Sequence, residues 1–175
     1  MEDFFEKSKK IFNTGDINNT LDEYNKALIH IDPTSKEINK SEYITFLEKI
    51  LKHCEENEML EEEAVVLRSL GRTHSIFKHH VESLKYHEQS LKIQRGLGNK
   101  KEVAEGLVFL AEDLEVSGNV KHCIEIFTDA ANIFLELGKF GKEKEIRDEI
   151  SRLKEFTEEM AEDEYIMNKF HVDNY

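Results

Sequence analysis

Residues 70–107 read LGRTHSIFKHHVESLKYHEQSLKIQRGLGNKKEVAEGL, and the spacing inside this run decides the fold. Leu67, Leu70, Gly71 and His74, followed by Ser83, His87, Ser90 and Leu91, return 40 residues later as Leu107, Leu110, Ala111 and Leu114, followed by Cys123, Phe127, Ala130 and Ala131. A fixed period of this length is the mark of a repeat architecture, in which each unit buries its apolar face on its neighbour. Working outward, the same template fits the N-terminus through Phe4, Ser8, Ile11, Gly15, Ile17, Thr20, Tyr24, Ala27 and Leu28, closed by Pro33. Apolar residues three and four apart within each copy predict amphipathic helices in antiparallel pairs. Small residues at Ser8, Gly71 and Ala111 on the first helix, answered by Thr20, Ser83 and Cys123 on the second, allow the two to pack closely. Gly15 and Gly118 fall where a tight turn needs an open backbone angle.

The order of large residue, Leu-Gly, aromatic, Gly, small-xxx-aromatic and Ala-Leu in these stretches resembles tetratricopeptide repeats. The 40-residue period is most similar to the variant found in Pins-type spindle-orientation adaptors and in cytoskeletal and ciliary proteins. The resemblance covers about 2–33, 61–97 and 101–138. It implies an all-α, right-handed α-solenoid of antiparallel helix hairpins with a C-terminal capping helix.

Eight helices are predicted, at 2–14, 17–31, 41–57, 60–78, 81–97, 100–117, 120–137 and 140–160. Residues 1–160 form a single helical repeat domain in this reading. The helix at 41–57 carries a clear stripe through Tyr43, Ile44, Leu47, Ile50, Leu51 and Cys54 but stands out of register with the repeat. The segment 140–160 keeps Ile146, Ile150, Leu153, Phe156 and Met160 on one face and is charged elsewhere, as a solenoid cap should be. Residues 32–40, containing the single proline Pro33, read as a loop, and 161–175 as an acidic C-terminal tail.

A formal charge of -13 disfavours nucleic acid and favours basic ligands. No apolar run approaches the roughly 20 residues that span a bilayer, and Met1 to Lys10 lacks a signal-peptide core, so a soluble, cytoplasmic protein is expected. Two cysteines, Cys54 and Cys123, make no disulfide framework and fit a reducing compartment.

Chemistry is sparse. His74, His79, His80 and His87 form the one cluster that suggests a metal, yet His74 and His87 occupy template positions expected to pack inside. Neighbouring carboxylates such as Glu61, Glu62 and Glu63, or Glu112 and Asp113, arise from composition alone when 37 acidic residues are present. Gly96-Leu97-Gly98-Asn99 falls at a helix end and reads as a C-cap rather than a phosphate loop. Neither an enzyme nor a cofactor or metal is expected.

The resemblance implies a concave groove lined by the first helix of each hairpin, holding an extended peptide or a helix. The template places there Phe5, Lys9 and Phe12 in the first repeat, Arg68, Arg72 and Ser75 in the second, and Val108, Glu112 and Glu115 in the third. Relatives that bind chaperone tails clamp a terminal carboxylate; Phe5 and Lys9 depart from that clamp, while Arg68 and Arg72 offer two positive charges a turn apart. The expected function is a non-enzymatic protein-protein interaction scaffold, with a structural subunit of a cytoskeletal or ciliary assembly as the alternative. The tail, with Tyr165, Ile166, Met167, Phe170 and Val172, reads either as a frayed terminus or as a segment that docks, in its own groove with an autoinhibitory effect or in a second copy's, driving self-association.

Overall fold

A computed structural model describes residues 3–35 and 37–172, with side chains through 162. All regular structure among them is helical: α1 Phe4–Phe12, α2 Ile17–His30, α3 Lys40–Glu56, α4 Leu60–Ile76, α5 His80–Gly96, α6 Lys100–Val116, α7 Val120–Glu136 and α8 Phe140–Val172. Consecutive helices from α3 onward pack on one another in an α-solenoid arrangement, and α4 also touches α2 and α6 directly.

From α3 onward, helices begin every 20 residues, and α3 to α7 are each 17 residues long. At 1.5 Å per residue each runs about 25 Å, so a three-residue link returns the next helix along its full length. The link has one construction throughout. Its second residue, at 58, 78, 98, 118 and 138, has positive φ. The amide of the third donates to the carbonyl five residues back: Met59 to Cys54, His79 to His74, Asn99 to Gln94, Asn119 to Leu114 and Lys139 to Phe134. This is the Schellman closure, and it satisfies carbonyls the helix end would otherwise leave bare.

Helix α3 therefore stands in phase with the others, against the sequence expectation that it is out of register. A 40-residue template compares alternate helices only, and two of the five turns lack the glycine that marks them, carrying Glu58 (φ 55°) and Lys78 (φ 64°) instead. The 20-residue spacing fails before α3, since α1, α2 and α3 begin at Phe4, Ile17 and Lys40; after α2 the Thr34 amide and hydroxyl both donate to Asp32 Oδ1. The second correction concerns the C-terminus. Helix α8 continues unbroken through Val172, so its backbone has no boundary between a cap ending at 160 and a tail beginning at 161. The side chains of Tyr165, Ile166, Met167, Phe170 and Val172, and all of 173–175, lie outside the described residues.

The small-residue seam forms as expected: Ser8, Thr20, Ser83, Ala111 and Cys123 are buried. At Gly71 the approach is closest, since a Cβ there would sit 2.7 Å from two atoms of the His87 ring. The core falls into two apolar clusters. One joins α1 to α4 around Tyr24, Leu47, Ile50 and Leu70. The other joins α5 to α8 around Leu107, Phe127, Phe134 and Leu153. Between them α4 and α5 bury a polar layer comprising Thr73, His74, Ser75, Ser83, His87, Ser90 and Gln94. Much of it is satisfied internally, with Thr73 donating to the Ser69 carbonyl and Ser90 to that of Ala64. Buried polar groups of this kind are tolerated when they find such partners.

Candidate ligand groove

Helix α6 carries two faces. Ala104, Leu107, Ala111 and Leu114 are buried in the core. Glu105, Val108, Phe109, Glu112 and Glu115, again three and four apart, turn toward a cleft whose other wall is the first part of α8. Lys142, Glu145, Ile146, Asp148 and Glu149 supply that wall, and Phe127 and Phe134 of α7 line the cleft between the two helices. Its volume is about 870 Å³, the size of pocket that takes a substantial ligand.

The lining is apolar at the bottom and acidic at the rim, with six carboxylates against one lysine. Several carboxylates are partly neutralised: Arg152 bridges Glu115 and Glu149 at 2.7 Å each, Lys101 meets Glu105 at 3.4 Å, and Lys142 meets Glu145 at 2.8 Å. Counting Lys101, Arg152 and Arg72 with Lys142 leaves four positive charges against six negative, so the cleft remains net negative. Burial presses the Glu112 carboxyl above its ordinary range; Arg72 pulls it back, and Asp113, Glu115 and Glu149 push it up again.

Of the residues the repeat template assigned to a groove, Val108, Glu112 and Glu115 come together in this cleft. Arg68 and Arg72 border it through Phe109: their guanidinium carbons lie 5.3 and 4.3 Å from the centre of that ring, which itself lines the cleft. Arg68 is also bound to Glu102 at 3.1 Å in a largely screened pair. Both arginines thus have partners within the fold, which weakens the expectation that they receive a carboxylate.

Phe5 and Ser75 are corrected outright. Phe5 is 6% exposed and stacks on Tyr43 at 3.9 Å, and Ser75 is 2% exposed, so neither presents a surface to a ligand. Helix α3, which the template had no place for, covers α1. Phe12 packs edge-on against Phe46 and His53, and Lys9 binds Glu6 and Glu42. The ring and ion-pair contacts of Phe5, Lys9 and Phe12 are with α1, α2 and α3, apart from the α6–α8 cleft.

The histidines pack as their template positions predict. His74 is buried against Tyr86, and burial, reinforced by neighbouring His79, holds its ring below the usual range. His87 is 1% exposed, with Nε2 2.5 Å from Asp113 Oδ2, to which Ser83 Oγ also donates at 3.3 Å. The carboxylate stands between serine and imidazole, so the imidazole is not the hydroxyl's partner. No group of three or more potential metal-ligating side chains gathers among the described residues. Burial pushes the thiols of Cys54 and Cys123 up to about 11.

A second hollow of about 660 Å³ lies between α3 and α5 over α4, lined by Leu51, Leu60, Tyr86, Ile93 and Leu97 with Glu55, Glu63, Lys85 and Lys92. The repeat template, which directs attention to alternate helices, gave no pointer to it; the exposure of Leu60 and Leu97 marks it in the structure. No described helix is long and apolar enough to cross a membrane. Compared with protein-family models and with curated proteins, the chain matches neither.

Proposed function

We propose that the chain is a non-enzymatic scaffold of the tetratricopeptide kind, holding a peptide or a helix from a partner protein in the groove between α6 and α8. The cleft supports this reading, because an apolar floor under a charged rim suits a segment that buries one side chain and leaves others in water. Among the described residues no histidine lines the cleft, and His87 and Asp113 spend their contact inside the protein. A cytoplasmic location is part of the proposal. A tagged copy should retain a discrete partner that a Phe109→Ala, Val108→Asp variant loses while its helical circular dichroism persists; equal retention by both forms would turn attention to another face.

The reading as a structural subunit draws on a different observation. Helix α8 is 33 residues long beside the 17 of α7, and Phe140, Phe156 and Met160 on it are 66%, 48% and 56% exposed. A stabilising surface supplied by a larger cytoskeletal or ciliary assembly would cover them, and in that case the isolated chain should self-associate at micromolar concentration in sedimentation experiments.

A further inference from the structure

The occupant of the α6–α8 cleft can be narrowed by charge. We infer that it is a cationic, amphipathic peptide segment of a partner protein, with a large apolar side chain set on the floor between Phe109 and Phe127 and flanking Lys or Arg side chains at the acidic rim. This deepens the scaffold reading and rests on it.

Among the described residues neither Glu112 nor Asp148 forms an ion pair, although both line the cleft and Arg152 already serves Glu115 and Glu149. Arg72 offsets part of the charge on Glu112 without an ion pair to it, and Asp113, Glu115 and Glu149 press on it from within the same region. Such crowding of like charge costs the free protein stability and is relieved by a cation from outside. An inorganic cation fits poorly, since no potential metal-ligating cluster forms among the described residues. The chain's own C-terminal part fits no better. Residues 154–172 continue α8 as helix, which at 1.5 Å per residue carries them about 28 Å past Leu153, away from the wall that 142–149 supply. Their sequence, with Glu155, Glu158, Glu159 and Glu162, repeats the sign of the rim. The same repulsion argues against that segment of a second copy, and the autoinhibitory and self-associating roles expected for the C-terminus are not carried into this cleft.

The test is selection of a displayed library of random 16-residue peptides on the full chain, followed by fluorescence anisotropy of the best synthetic peptide. The enriched set should carry more Lys and Arg than Asp and Glu, with a large apolar residue between the cations. Affinity should fall at least tenfold in the isosteric double variant Glu112→Gln, Asp148→Asn, and should also weaken from 0.05 to 0.5 M salt. The variant Glu61→Gln, Glu88→Gln, with the same change in net charge on exposed residues elsewhere, should bind as the parent does. Neutral or acidic enriched peptides overturn the inference, as does equal loss in both double variants, which would mean attraction to overall acidity. Peptides that bind the cleft variant unchanged leave the scaffold reading standing and remove only the cleft's occupant. Failure to enrich any peptide removes both.

Discussion

Gly71→Ala places one methyl group at the glycine where an added Cβ meets its nearest neighbour most closely. The added Cβ would lie 2.7 Å from Cδ2 and Nε2 of His87 and 2.9 Å from Cε1, well inside van der Waals contact. The ring has nowhere to retreat, being 1% exposed and held at Nε2 by Asp113 at 2.5 Å. Either α4 and α5 separate by most of an ångström or the imidazole leaves the carboxylate. Overpacking of this sort costs about 1–3 kcal/mol, and a lost hydrogen bond to a charged group about 1.5–3 kcal/mol. Against this, alanine gains roughly 0.5–1 kcal/mol over glycine in a helix. The net expectation is a loss of about 2 kcal/mol, which for a chain of this size lowers the melting temperature by roughly 4–8 °C. Thermal and urea unfolding followed by circular dichroism measure it. Gly106→Ala is the control, because its Cβ would meet only the end of Leu91, at 3.0 Å; it should stay within about 0.5 kcal/mol of the parent or gain from helix propensity. A Gly71→Ala protein as stable as the parent would refute the close-packing account of this repeat.

Lys78→Gly should raise stability by about 0.5–1 kcal/mol, because it relieves a left-handed residue at φ 64° in a turn whose equivalents at 98, 118 and 138 are glycine; the urea midpoint reports it, and an unchanged midpoint would mean the strain is offset in the unfolded chain. Glu112→Gln should stabilise the protein at neutral pH while weakening a cationic ligand. The sign follows from a folded-state pKa raised above the unfolded one: the penalty is complete above the folded value and absent below the unfolded value, so the gain should vanish as the pH falls through the carboxylate range. The walls of the cleft crowd Glu112, yet its side chain keeps an exposed face, and solvent screening there holds the gain below about 1 kcal/mol. Cys54 and Cys123 are fully buried with thiols pushed up to about 11; both should resist a disulfide reagent at pH 8 in the native protein and react only on unfolding, whereas rapid native labelling would show that the helices around them open readily.

What the chain alone determined is its local geometry. A helix is specified by its own residues three and four apart, and a turn by the backbone freedom of one glycine, so the stripes of α3 through α7, the seam from Ser8 to Cys123 and the inward packing of His74 and His87 were all legible. So was the acidic character of the whole. Legibility failed where a feature depends on a side chain from a helix distant in sequence. Phe5 reads as a groove residue until Tyr43 covers it, Arg68 and Arg72 read as free cations until Glu102 and Phe109 take them, and α3 reads as a stray until its turn is seen to close like the others. The cleft belongs to the same class. Its rim joins carboxylates on α6 to those on α8, more than 25 residues apart, and periodicity within either helix carries no information about which face of the other it will meet. Only the packing of α6 and α8 across α7 sets their charges side by side.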